Sequence, residues 1–130
     1  MLVVRFDTRR WNFLRVGDST YFLLRVGSER QVLVMDKCPH RGGPLHLACY
    51  DEASLKLICP WHESRVSLAW LLARAVPMVC VGQQATAFFP VPAETEVHLM
   101  RQRVKLRPVP VEVAYTQHRK RRMAVRPVVT

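Results

Sequence analysis

Two stretches decide the reading: Cys38-Pro39-His40-Arg41-Gly42-Gly43-Pro44-Leu45 and Ile58-Cys59-Pro60-Trp61-His62. Written as spacing, they give C-x-H, then 18 intervening residues, then C-x-x-H. Two thiolates and two imidazoles make a complete tetrahedral ligand set. A common zinc finger takes its Cys pair from one turn and its His pair from another. Here each loop supplies one Cys and one His. That mixture suits a binuclear cluster, in which one metal takes both Cys and the other both His. Mononuclear zinc or iron held by the same four residues stays open.

The segments outside the two loops are short and strand-like. Leu2 to Phe6, Trp11 to Val16, Tyr21 to Val26 and Gln31 to Met35 are apolar runs, several closed by turn signals such as Gly17-Asp18 and Gly27-Ser28. Leu55 to Ile58 has period two and leads straight into Cys59. Ser67 to Ala75 is ambiguous between a short helix and a buried strand, because periodicity cannot separate them in so short a run. After Pro77, Met78 to Val81 and Ala85 to Phe89 read as strands. Val97 to Leu106 alternates, with Arg101, Arg103 and Lys105 on an outer basic face. The expectation is an all-β fold.

The chain has 130 residues, 49% apolar and 23% charged, which fits one globular domain. No apolar run approaches the roughly 18–20 residues of a bilayer span, and no signal peptide is visible. A reducing, cytoplasmic setting is therefore expected, with no membrane partner. The net charge of +10 is uneven: residues 101–130 hold nine Lys/Arg and one acid, Glu112. The densest run is His118-Arg119-Lys120-Arg121-Arg122. A solvated tail is the preferred reading over a nucleic-acid patch, and no nucleic-acid partner is expected. The division expected is a domain over 1–110 and a basic C-terminal extension over 111–130.

The two loops, with Ser64-Arg65 just after the second, resemble the cluster loops of Rieske-type ferredoxins and of the Rieske domains of ring-hydroxylating oxygenases. The strong match covers residues 30–70. The resemblance implies an antiparallel β-sandwich with a two-loop cluster-binding subdomain and a Rieske-type 2Fe-2S cluster. It implies that Cys38 and Cys59 hold the buried iron, and His40 and His62 the outer one. It also implies one-electron transfer, with no catalytic residues of its own. The expected partners are redox proteins: a flavin-dependent reductase as donor, and an oxygenase or similar enzyme as acceptor. A small subunit of a larger oxidoreductase, or a Rieske protein acting directly on a small molecule, are the alternatives.

The flanks refine the expectation. Gly42 and Gly43 let backbone approach the cluster without a Cβ in the way, and Trp61 is expected to shield it. Quinol-oxidising relatives carry a Cys in each loop where this chain has Gly43 and Trp61, and a Tyr where it has Val66. Fewer hydrogen-bond donors to sulfur point to the low end of the Rieske potential range. No spacing among His46, His98 and His118 suggests a second metal site. Cys49 and Cys80 are expected to be buried thiols without a disulfide. Three departures from the resemblance stand out: Glu63 where such loops usually have Gly, Ala69-Trp70 where a Thr-Gly turn is usual, and the high positive charge. The charge suggests a partner with an acidic docking face.

Overall fold

The computed structural model describes residues 1–28, 30–39, 42–61 and 63–109. His40, His62 and the basic extension 111–130 lie outside the described residues.

Among the described residues ten strands and one short helix follow in chain order: β1 (Leu2–Asp7), β2 (Phe13–Val16), β3 (Ser19–Val26), β4 (Arg30–Met35), β5 (Cys49–Asp51), β6 (Lys56–Ile58), β7 (Arg65–Ser67), α1 (Leu68–Ala73), β8 (Met78–Val81), β9 (Gln84–Phe89) and β10 (Val97–Met100). A single 3-10 turn, Leu45–Leu47, precedes β5. The strands form three antiparallel sheets, ordered β1-β9-β8, β10-β2-β3-β4 and β5-β6-β7. The fold is all-β, as the strand spacing implied.

The four-stranded sheet is the middle layer, and its sequence shows why. Tyr21-Phe-Leu-Leu-Arg-Val26 is nearly continuous in apolar residues because the strand is buried on both faces. Leu23 points with Leu14, Val16 and Leu33 toward Val4, Phe6, Ala85 and Phe89 of the first sheet. Phe22, Leu24, Val26 and Val34 point the other way, toward Leu45, Leu57, Val66, Leu68 and Leu71. Each fully buried Leu or Phe contributes about 1.5–3 kcal/mol. Both faces together hold the two-loop subdomain on a rigid base.

The ambiguous segment after Ser67 is helical. The Ser67 side chain accepts a hydrogen bond from the Trp70 N–H at 3.3 Å, an N-cap. Leu68 and Leu71, one turn apart, are the residues this helix buries. Ala, Leu and Trp without a β-branched residue permit the turn, and Val76-Pro77 ends it. A helix thus stands where the resemblance placed a Thr-Gly hairpin.

The last alternating stretch is shorter as a strand than expected. β10 ends at Met100, opposite Phe13, the first residue of β2. Beyond it the edge has no partner strand, and Asn12 takes over by side chain: its Nδ2 donates to the Gln102 carbonyl at 2.7 Å, and its Oδ1 accepts from the Gln102 N–H at 2.8 Å. Residues 101–109 then cross as an irregular strap. Lys105 N–H donates to the His46 carbonyl, and Val109 forms a parallel bridge with Val26. Leu106 and Val109 are buried in the subdomain core.

Candidate metal centre

The first loop leaves the end of β4. Its Cys38 N–H donates to the Gly43 carbonyl at 2.9 Å, and Gly42 N–H donates back to the Cys38 carbonyl at 2.8 Å. Gly42 turns left-handed, with φ +72°, a conformation that costs glycine nothing. The second loop leaves the end of β6. Its Cys59 N–H donates to the Ser64 carbonyl at 2.8 Å, joining the two sides of a turn. Glu63 completes that turn at φ 53°, also left-handed.

The two loops meet at sulfur. Cys38 and Cys59 are each only 1% exposed, and their side chains hydrogen-bond one another. Burial pushes the Cys59 thiol up; the Trp61 N–H pulls it down, and the neighbouring Cys38 raises it again. Gly43 lies directly against this pair. A Cβ at position 43 would strike Cys59 Sγ and come within 3.2 Å of Trp61 Cβ. Two buried sulfurs brought together, with backbone pressed on one of them, fit a cationic iron centre that stabilises thiolates. Trp61 leaves 52% of its surface exposed, so it covers Gly43 on one side only and is a weaker shield than expected.

Behind the first loop stands a pair that the sequence did not reveal. Asp36, at the end of β4, is 8% exposed. Its Oδ1 accepts the His46 backbone N–H at 2.7 Å, and its Oδ2 lies 2.8 Å from His46 Nδ1. The His46 ring stands edge-on to Phe13, centroids 5.2 Å apart. One carboxylate thereby fastens both ends of the loop that carries Cys38. Nothing in the sequence pattern marks Asp36 as buried. Behind the second loop, Arg65 Nη1 donates to Asp51 Oδ2 at 3.0 Å and Ser54 Oγ donates to the same oxygen at 2.6 Å, tying β7 to the β5–β6 turn. The hydrogen bonds from Ser54 and then Arg65 hold the Asp51 carboxyl below its ordinary range.

Cys49 and Cys80 carry unbridged thiols, but both are exposed rather than buried. Cys80 lies on β8, an edge strand, and Cys49 on β5, the edge of the small sheet. Both sit outside the two cores.

The all-β scaffold thus brings two buried cysteines together from two turns. The family model described as Rieske [2Fe-2S] domain matches residues 4–81, more than half of the chain, and the chain belongs to that family. Comparison with curated proteins and with solved structures gives no match. The domain binds a 2Fe-2S cluster, and its role is electron transfer with redox partners. Among the described residues no helix is long and apolar enough to cross a membrane.

Proposed function

We propose that Cys38, Cys59, His40 and His62 hold the cluster, the cysteines on the inner iron and the histidines on the outer one. The observation that carries this reading is the buried Cys38–Cys59 pair, brought together from two loops with Gly43 backbone against it. Bound there, a 2Fe-2S cluster would supply one-electron redox chemistry. The chain's own residues hold the sulfurs dry, keep both loops closed through the Cys38–Gly43 and Cys59–Ser64 hydrogen bonds, and brace them through Asp36 and Asp51. The domain runs to about residue 110, since Val109 pairs with Val26 in its core, and 111–130 is a basic extension.

Within the family, the chain acts as a ferredoxin component that carries electrons from a flavin-dependent reductase to an oxygenase or a similar acceptor. Gly43 and Trp61 stand where quinol-oxidising relatives form a loop disulfide. Val66, buried on β7 of the small sheet, offers no hydroxyl to a ligand sulfur. With so few donors, the midpoint potential falls near the low end of the range, roughly −150 mV. Redox titration of the cluster-loaded protein tests this, and a midpoint above about +100 mV contradicts it. His62→Cys should keep its iron, lower the potential and change the spectrum of the reduced state. An unchanged spectrum removes His62 from the ligand set.

A further inference from the structure

Between the strap and the strands β3 and β4 lies a cavity of about 440 Å³. Gln31, near the start of β4, lines it. Three arginines share the lining: Arg25 from β3, and Arg101 and Arg103 from the strap, with Asn12, Gln31 and Gln102 between them and Leu23 as an apolar wall. Among the described residues no carboxylate lines it. Among the described residues the ion pairs engage Asp36, Asp51 and Glu96, and none reaches these arginines.

The walls are built rather than incidental. The strap is pinned at one end by the two Asn12–Gln102 hydrogen bonds. At the other, Val109 N–H donates to the Arg25 carbonyl at 2.9 Å and Gly27 N–H to the Val109 carbonyl at 2.7 Å. Arg101 Nη1 donates to the Arg9 carbonyl at 2.6 Å, which orients its remaining donors. Three exposed arginines line this one cavity, and an anion among them offsets their like charge. Their forked donors match phosphate oxygens two at a time. The volume lies within the range of small-molecule pockets. The chain offers no acidic segment of its own: beyond residue 100 its one acid is Glu112.

The geometry points to a binding site for a phosphate ester of nucleotide size, with the phosphates on Arg25, Arg101 and Arg103, and the amides and Leu23 facing the organic part. The site is independent of how the cluster is held. Calorimetric titration of the cluster-loaded chain with ADP tests it, with pyrophosphate as competitor. One ADP should bind per chain and raise the melting temperature, and pyrophosphate should displace it. Arg25→Gln and Arg103→Gln should each weaken binding about tenfold or more. Arg103→Lys, which keeps the charge but loses the fork, should also weaken it, while Arg5→Gln on the outer face of β1 should not. Four results overturn the site: no binding of ADP at millimolar concentration, affinity unchanged in the Arg25 and Arg103 variants, affinity lost instead on neutralising Arg119–Arg122, or binding of an oligonucleotide where ADP fails.

Discussion

Glu63 holds a backbone conformation that suits glycine, φ 53°, one residue past His62. A left-handed L-residue costs roughly 1–2 kcal/mol, which explains why loops of this family favour Gly at that point. Glu63→Gly should therefore stabilise the protein by about 0.5–1 kcal/mol after the entropy that glycine loses is subtracted, measured as a shift in urea midpoint. Gly43 is the opposite case. Gly43→Ala drives a methyl into Cys59 Sγ, with backbone on one side and sulfur on the other, so the loop must open. Iron content per chain should fall steeply in that variant, and full iron loading would refute the close contact. Tyr50 shows a third residue-scale feature: its hydroxyl is buried without a hydrogen-bond partner among the described residues, and burial, then Glu52 and Asp51, push its pKa up. Removing an unpaired buried hydroxyl relieves a penalty of about 1–3 kcal/mol. Tyr50→Phe should match or exceed the parent in stability, and a loss would mean that the hydroxyl gains a partner when the cluster is bound.

The elements matter through what they fasten. Asp36 joins the end of β4 to the far end of the first loop through two hydrogen bonds to His46. Asp36→Ala leaves both donors unpaired in a buried site, at a cost of about 2–4 kcal/mol, read by chemical denaturation. Asp51 does similar work at the surface of the small sheet. Its carboxyl pKa is depressed, so its contribution is present above the unfolded value and fades as pH falls through the folded one. The stability gap between the parent and Asp51→Asn should thus be widest near neutral pH and close as the pH falls through the lowered folded-state pKa. Most strands were legible from the sequence, because apolar runs bounded by Gly and Asp mark them whether one face or two are buried. Two elements were not. Ser67–Ala73 was undecidable by period and was settled by its N-cap and by packing of Leu68 and Leu71. Residues 101–106 alternate like a strand, yet lack a partner edge beyond Phe13. The Cys pair was legible from spacing, whereas Asp36 was not, since burial of a lone carboxylate leaves no mark in the pattern.

At the scale of the whole molecule, the strap closes the second core. A chain ending at Val109 should keep its cluster and nearly all its stability. One ending at Met100 loses the buried Leu106 and Val109 side chains, which costs more than about 3 kcal/mol, visible as a lowered melting temperature. The molecule has two differently equipped sites: the sulfur pair with its loops, and the arginine-lined cavity beside the strap. The proposed function rests on mixed Cys and His ligation of a two-iron cluster. Electron paramagnetic resonance of the anaerobically purified, dithionite-reduced protein, with iron quantified on the same sample, tests that most directly. The expected result is two irons per chain and a rhombic signal whose average g value lies below that of all-cysteine clusters. A folded, colourless protein without iron, or a signal of the all-cysteine kind, would contradict it.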